Sequence, residues 1–219
     1  MPKETEKVFY ATFGALATGK STLLEAMRNN YIEYEYATDE KILERDSPLY
    51  NYHKKLFEDR DYSYFFRFQM GILPIRFQLA NRCRNKSLLD ETIYDALAYS
   101  RAVYHLEWLP KEEFNIFFDN FKILESFYPK PTAIIFLKCT NVYTILHRMS
   151  KRGRPIEKKF TLEYIEALMN AYDEIALELV KKNIKVVTID VTDLREEEVY
   201  YLTIKGLEEK KVPLEKDVR

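Results

Sequence analysis

Glycine and cysteine are scarce in this chain, and its charges nearly cancel. The 219 residues include five glycines and two cysteines. Cys83 and Cys139 lie far apart and form no C-x-x-C pair, which argues against a cysteine metal site and predicts a buried apolar place for each. The 34 basic and 35 acidic residues leave a net charge of −1. A general nucleic-acid-binding surface needs a basic excess, so no nucleic-acid partner is expected. No apolar run reaches the length of a membrane span, and no apolar segment of signal-peptide type precedes Val8. The expectation is a cytoplasmic protein with no membrane partner. Internal repeats, low-complexity tracts and Gly/Ser linkers are also missing. A single domain over 1–219 is expected, with a charged tail at about 207–219 that frays.

Apolar and aromatic side chains are plentiful. Hydrophobic residues make up 47% of the chain, which marks it as globular. Aromatics make up 15% and gather in the first half. That fits a base-stacking pocket, aromatic core packing being the commoner explanation.

Two of the five glycines fall in Gly14-Ala15-Leu16-Ala17-Thr18-Gly19-Lys20-Ser21. The segment follows the apolar run Val8–Phe13 and precedes a Leu/Ala/Met-rich helical stretch at Ser21–Asn29. It fits G-x-x-x-x-G-K-[ST], the phosphate-binding loop, with the strand before and helix after that the motif requires. In such a loop the backbone around Gly14, Ala15, Ala17, Thr18 and Gly19 cradles phosphate oxygens, and the helix start at Lys20, Ser21 and Thr22 adds a positive dipole. Lys20 would neutralise the β- and γ-phosphates of ATP or another nucleoside triphosphate, and the Ser21 hydroxyl would hold Mg²⁺.

Five strand-like runs alternate with helical patterns: Val8–Phe13, Ile32–Ala37, Ser87–Asp90, Ala133–Lys138 and Lys185–Asp190. The helical patterns between them cover about Pro48–Glu58, Tyr62–Arg84, Tyr94–Leu109, Lys111–Phe127, Val142–Lys151 and Leu162–Asn183. This alternation predicts an α/β fold: a five-stranded parallel sheet with helices on both faces. Ligands bind beyond the carboxyl ends of strands in such sheets, so the residues that follow each strand carry the chemistry. Asp39 and Glu40 follow the second strand; Asp90, Glu91 and, a turn later, Asp95 follow the third. Beyond the fourth, after one helix, lies the basic segment from Arg148 to Arg154. Carboxylates near the loop and cations opposite suit phosphoryl transfer, although acidic helix starts and basic helix ends are also favoured by the helix dipole alone. Gly153 and Pro155 interrupt the basic helix, as a mobile lid at about 148–158 would.

Together these motifs resemble the deoxynucleoside kinase family, from about Val8 to Asp193. Phe68-Gln69 resembles the family's base-binding glutamine motif, and Arg76 lies seven residues on, two turns along the same helix face. Leu89-Asp90-Glu91-Thr92-Ile93-Tyr94-Asp95 is similar to the acidic-Arg-Ser/Thr motif and its following aspartate. Arg148-x-x-Lys151-Arg152-Gly153-Arg154-x-x-Glu157 is similar to the lid. The resemblance implies a P-loop kinase that phosphorylates the 5′-hydroxyl of a deoxynucleoside, purine or cytosine favoured, with ATP and Mg²⁺, as a homodimer. It implies Glu40 as the general base, with Asp39 the alternative register, since that carboxylate lies about nineteen residues beyond Lys20 in the family. Ser21 and Asp90 would hold the metal. Arg148, Arg152 and Arg154 would close over the phosphates. Gln69, Arg76 and Asp95 would read the base beside Phe68, and Glu157 would hold the sugar.

Two positions depart from the family pattern, and the pocket helix carries an oddity of its own. Glu91 stands where the family has arginine, and Phe57 where it has a tyrosine that bonds the sugar 3′-hydroxyl. A carboxylate at 91 places adverse charge beside a triphosphate. Gly71 and Pro74 lie between Gln69 and Arg76, where a proline is expected to kink the pocket helix. These departures keep two alternatives open: a kinase of a modified nucleoside or nucleoside monophosphate, and a catalytically impaired nucleotide-binding protein.

Overall fold

The structure, a computed structural model, describes residues 8–30, 35–38 and 47–212. Its strands are β1 (Phe9–Phe13), β2 (Glu35–Ala37), β3 (Ser87–Leu89), β4 (Ala133–Lys138) and β5 (Val186–Asp190). They pair in parallel in the order β2-β3-β1-β4-β5. All of β1 and β3 is buried, and so is β4 up to Leu137. Strands covered on both faces have no polar side to show, which is why they read as continuous apolar runs.

The helices are α1 (Lys20–Asn30), α2 (Pro48–Phe57), α3 (Tyr64–Arg82), α4 (Ile93–His105), α5 (Lys111–Ser126), α6 (Val142–Arg152), α7 (Leu162–Lys181) and α8 (Glu196–Glu209). The first crossover, from β1 to β2, runs one way along the sheet, and every later crossover runs the other way. Right-handed crossovers therefore put α1 on one face and α3, α4, α5 and α7 on the other. The packing agrees: α1 lies against α8, and α4 lies against α5 and α7. The direction reverses between β1 and β3, so a crevice opens at their carboxyl ends.

Several elements differ from expectation. Helix α8 was not foreseen, because its sequence opens with Glu196-Glu197-Glu198 and looks like a solvated loop. It anchors through Val199, Thr203 and Leu207, all buried and spaced by four. The tail is thus helical to Glu209, with Val212 also buried, and 213–219 lies outside the described residues. Helix α4 stops at His105 rather than Leu109, since Glu107 turns the chain with φ +57°. Pro74 lies inside the continuous span of α3, where it removes one amide donor from the helix ladder. Gly71 serves packing here: a Cβ on it would lie 2.3 Å from Leu49 Cδ2 of α2. No helix among the described residues is long and apolar enough to cross a membrane, and Cys83 and Cys139 are buried thiols outside any disulfide.

Candidate active site

The loop after β1 has the geometry its glycines allow. Gly14 has φ +148°, and a Cβ there would meet Leu137 O of β4 at 2.5 Å. Gly19 has φ +95° and Ala17 φ +57°, so the backbone reverses twice within six residues. Thr18 Oγ1 donates to Ala15 O at 2.8 Å and staples the loop. Lys20 Nζ folds back over it, donating to Gly14 O at 2.6 Å and Ala15 O at 3.1 Å. Asp90, one residue past β3, faces this loop because β3 pairs with β1. Its Oδ2 accepts from Ser21 Oγ at 2.9 Å and its Oδ1 from Thr12 Oγ1 at 3.0 Å. Hydroxyl and carboxylate together form a hard-oxygen pair of the kind magnesium takes. Among the described residues no three His, Cys, Asp or Glu side chains cluster as a metal site.

Glu91 follows with φ +64°. Its side chain meets Arg76 of α3, whose Nη2 donates to Oε2, and its Oε1 lies 3.6 Å from Lys20 Nζ. Burial raises the Glu91 carboxyl, but Arg76 and then Lys20 outweigh it, and the group is held below the ordinary glutamate value. The adverse charge expected at position 91 is therefore balanced by two cations. Among the described residues the carboxylate that Arg76 grips is Glu91, in place of the expected Asp95. Asp95 instead closes the N-terminus of α4. Its Oδ2 accepts from Thr92 N at 2.6 Å and Thr92 Oγ1 at 2.9 Å, and Tyr172 OH donates to Oδ1 at 2.9 Å. Burial, and next the Glu91 charge, push its pKa up to about 7. A Thr-x-x-Asp spacing ahead of an apolar run was the local signal of this capping role.

Gln69, Arg76, Phe68 and Ile72 of α3 line a cavity shared with Lys20, Ser21, Asp90 and Glu91. Gln69 is 3% exposed, and its Oε1 has no hydrogen-bond partner among the described residues. Phe57 lines the same cavity, its ring edge-on to Phe160 at 4.7 Å and to His53 at 4.9 Å. Sequence reasoning passed over His53, although it precedes Phe57 by one helical turn and so shares its face. Burial lowers the His53 pKa to about 4, so the ring is neutral near pH 7. Tyr99, one turn beyond Asp95, also borders the cavity and was also missed.

The basic segment divides between two cavities. Arg152, Arg154 and Glu157 border the one just described. Glu157 is buried; Arg152 Nε donates to its Oε2 at 3.2 Å, Arg152 Nη2 donates to Oε1, and Arg154 Nη1 lies 4.0 Å away. Gly153, with φ +68°, ends α6. Arg148 turns the other way and donates from Nη2 to Val191 O, beyond β5. With Thr18, Gly19, Thr22 and Arg152 it borders a second cavity reaching Leu194, Arg195 and Tyr200. The two cavities meet over the phosphate loop. Asp39 and Glu40 lie outside the described residues.

The sequence pattern of one family, the deoxynucleoside kinases, matches residues 12–210. The chain is 28% identical over 187 residues to the deoxyguanosine kinase of Bacillus subtilis (strain 168), covering 83% of this chain and 86% of that one. It is 27% identical over 210 residues to the deoxyadenosine kinase of Dictyostelium discoideum, covering 93% of this chain and 80% of that one. The fold is that of the deoxyadenosine kinase from M. mycoides with products dCMP and a flexible dCDP bound: TM-score 0.78, 22% identity, 93% of this chain and all (100%) of the other.

Proposed function

We propose that this chain, which belongs to the deoxynucleoside kinase family and is a phosphotransferase acting on nucleosides, moves the terminal phosphoryl group of ATP or another nucleoside triphosphate to the 5′-hydroxyl of a purine or cytosine deoxynucleoside. The observation that carries the base assignment is Gln69 Oε1, buried in an aromatic-lined cavity without a partner among the described residues. A buried acceptor left unmade is costly, so the site calls for a ligand N–H. The Gln69 amide and the Arg76 guanidinium add donors, which suits a base edge carrying an amine beside a ring nitrogen. The names of the two relatives, deoxyguanosine and deoxyadenosine kinase, support a purine, and the dCMP product of the M. mycoides enzyme is compatible with cytosine.

In this reading Lys20 binds the migrating phosphoryl group, and Arg152 and Arg154 close on it from a lid at 148–158 hinged at Gly153. Arg148 closes the donor side through the loop after β5. Ser21 and Asp90 are the residues that would hold Mg²⁺, which neutralises phosphate charge when bound. Glu40, or Asp39 in the alternative register, takes the proton of the 5′-hydroxyl. Phe68 and Phe57 flank the base and sugar, and Glu157 bonds the sugar once Arg152 moves to phosphate. Phe57 brings no hydroxyl, and its apolar contacts with Phe160 favour, as a second reading, a nucleoside altered at the 3′ position. The chain works as one cytoplasmic domain and pairs as a homodimer through α5, where Ile116 and Ile123 and the C-capping Phe127 are exposed. Light scattering at micromolar concentration tests the dimer. The phosphoryl transfer is tested by ³¹P NMR of the product, expected to be a 5′-monophosphate, and by Lys20→Ala, expected to abolish its formation while the thermal midpoint holds.

A further inference from the structure

We infer that Glu91 is a positioning residue that holds Arg76 and Lys20 on one carboxylate and so sets base recognition and donor affinity in opposite directions. The inference rests on the kinase reading above and deepens it. Past β3 the chain sends two successive carboxylates to different partners. Asp90 turns to Ser21 and Thr12, on the phosphate side. Glu91 turns to α3, and it does so from the left-handed region, with φ +64°. A residue other than glycine stays in that region when its surroundings fix it. Here the fixing contacts are the Arg76 ion pair and the Lys20 Nζ at 3.6 Å.

Those three side chains bridge the two halves of the site. Arg76 borders the cavity beside Gln69, where the base is read, and Lys20 belongs to the phosphate loop. Both cations are withdrawn from water, their side chains 5% and 9% exposed. With Glu91 present the trio carries a net charge of +1, and Arg76 has a fixed anchor. Neutralising Glu91 removes the carboxylate that touches both cations, while Lys20 keeps its bonds to Gly14 O and Ala15 O and both cations still feel Asp95. Three consequences follow. Lys20 loses a carboxylate that competes with the triphosphate, the local field becomes more attractive to anions, and Arg76 loses the contact that holds it where it meets the base. Donor binding should therefore strengthen while nucleoside binding weakens. A side chain that only braces the fold gives the other pattern, both affinities falling together with stability.

The test uses Glu91→Gln, which removes the charge and keeps the shape. ATP is titrated calorimetrically onto the full chain without nucleoside, and KM and kcat are then measured for the best deoxynucleoside. ATP should bind about fivefold to tenfold tighter, and the nucleoside KM should rise about tenfold or more with a smaller change in kcat. Arg76→Gln supplies an arm independent of how Glu91→Gln folds. It leaves Glu91 wholly to Lys20, so ATP should bind several-fold more weakly although Arg76 faces the base. Weaker ATP binding by Glu91→Gln, an unchanged nucleoside KM, or unchanged ATP affinity in Arg76→Gln each overturns the inference. A wild-type chain that turns over no nucleoside defeats the kinase reading alone, because the ATP titrations still decide the role of Glu91.

Discussion

Replacing Gln69 by leucine should make this protein more stable and far less active. Gln69 is 3% exposed on α3, and its Oε1 has no partner among the described residues. A buried, unsatisfied amide acceptor costs the fold about 1–3 kcal/mol, which a leucine of similar volume recovers. In a domain of this size 1 kcal/mol shifts the melting midpoint by about 2–4 °C, so the ligand-free variant should melt about 2–12 °C higher. Activity should move the other way. The amide offers the base one acceptor and one donor set, and two neutral hydrogen bonds at about 1–1.5 kcal/mol each, with the base edge left unpaired, amount to about 2–4 kcal/mol in the transition-state complex. That is a loss of roughly 30-fold to 1000-fold in kcat/KM. The assays are thermal unfolding followed by circular dichroism and ADP release coupled to a nucleoside. A variant that melts lower and keeps its kcat/KM would show that Gln69 supports the core and leaves the base untouched.

Gly14→Ala should lose nearly all activity and some stability, because a Cβ at φ +148° would lie 2.5 Å from Leu137 O; denaturant unfolding together with ATP titration checks this. Asp95 supplies a pH prediction. Its folded pKa, about 7, is raised above the ordinary value of about 4, so its contribution to stability is complete below pH 4 and is lost as pH rises through 7. Urea midpoints at pH 5 and pH 8 should therefore fall more steeply in the wild type than in Asp95→Asn, which mimics the protonated acid; equal slopes would refute the assignment. Arg152→Ala frees Glu157 from its two-point partner and should raise the KM for ATP while leaving the unfolding free energy from urea titration within about 1 kcal/mol of wild type, since the Arg152 side chain is a third exposed (34%).

The parts of this molecule legible in the sequence are those that backbone chemistry dictates locally. Gly14, Gly19 and Lys20 stand at spacings that one loop geometry requires, and β4 can hide an unbroken apolar run on both faces only within a parallel sheet. Side-chain partnerships were much less legible, because one sequence holds no distances. The family resemblance placed Arg76 with Asp95 at the base, but Arg76 grips Glu91, which reaches it from a left-handed turn, a backbone choice that composition does not announce. His53 and Tyr99 were missed although each lies one turn from a residue already singled out, Phe57 and Asp95. Their signal was helix phase, which shows only when a helix is read face by face. In α8 three glutamates masked a stripe at Val199, Thr203 and Leu207 that is narrow but complete.

The central claim, transfer of phosphate to an amine-bearing deoxynucleoside, is tested most directly by one experiment. The purified chain is incubated with ATP and Mg²⁺ against deoxyadenosine, deoxyguanosine, deoxycytidine and thymidine separately, and kcat/KM for 5′-monophosphate formation is measured for each. The account predicts that one of the first three leads and that thymidine trails by about tenfold or more, since thymine offers Gln69 a ring N–H but no amine. Thymidine as the best substrate, or no monophosphate from any of the four, would contradict it.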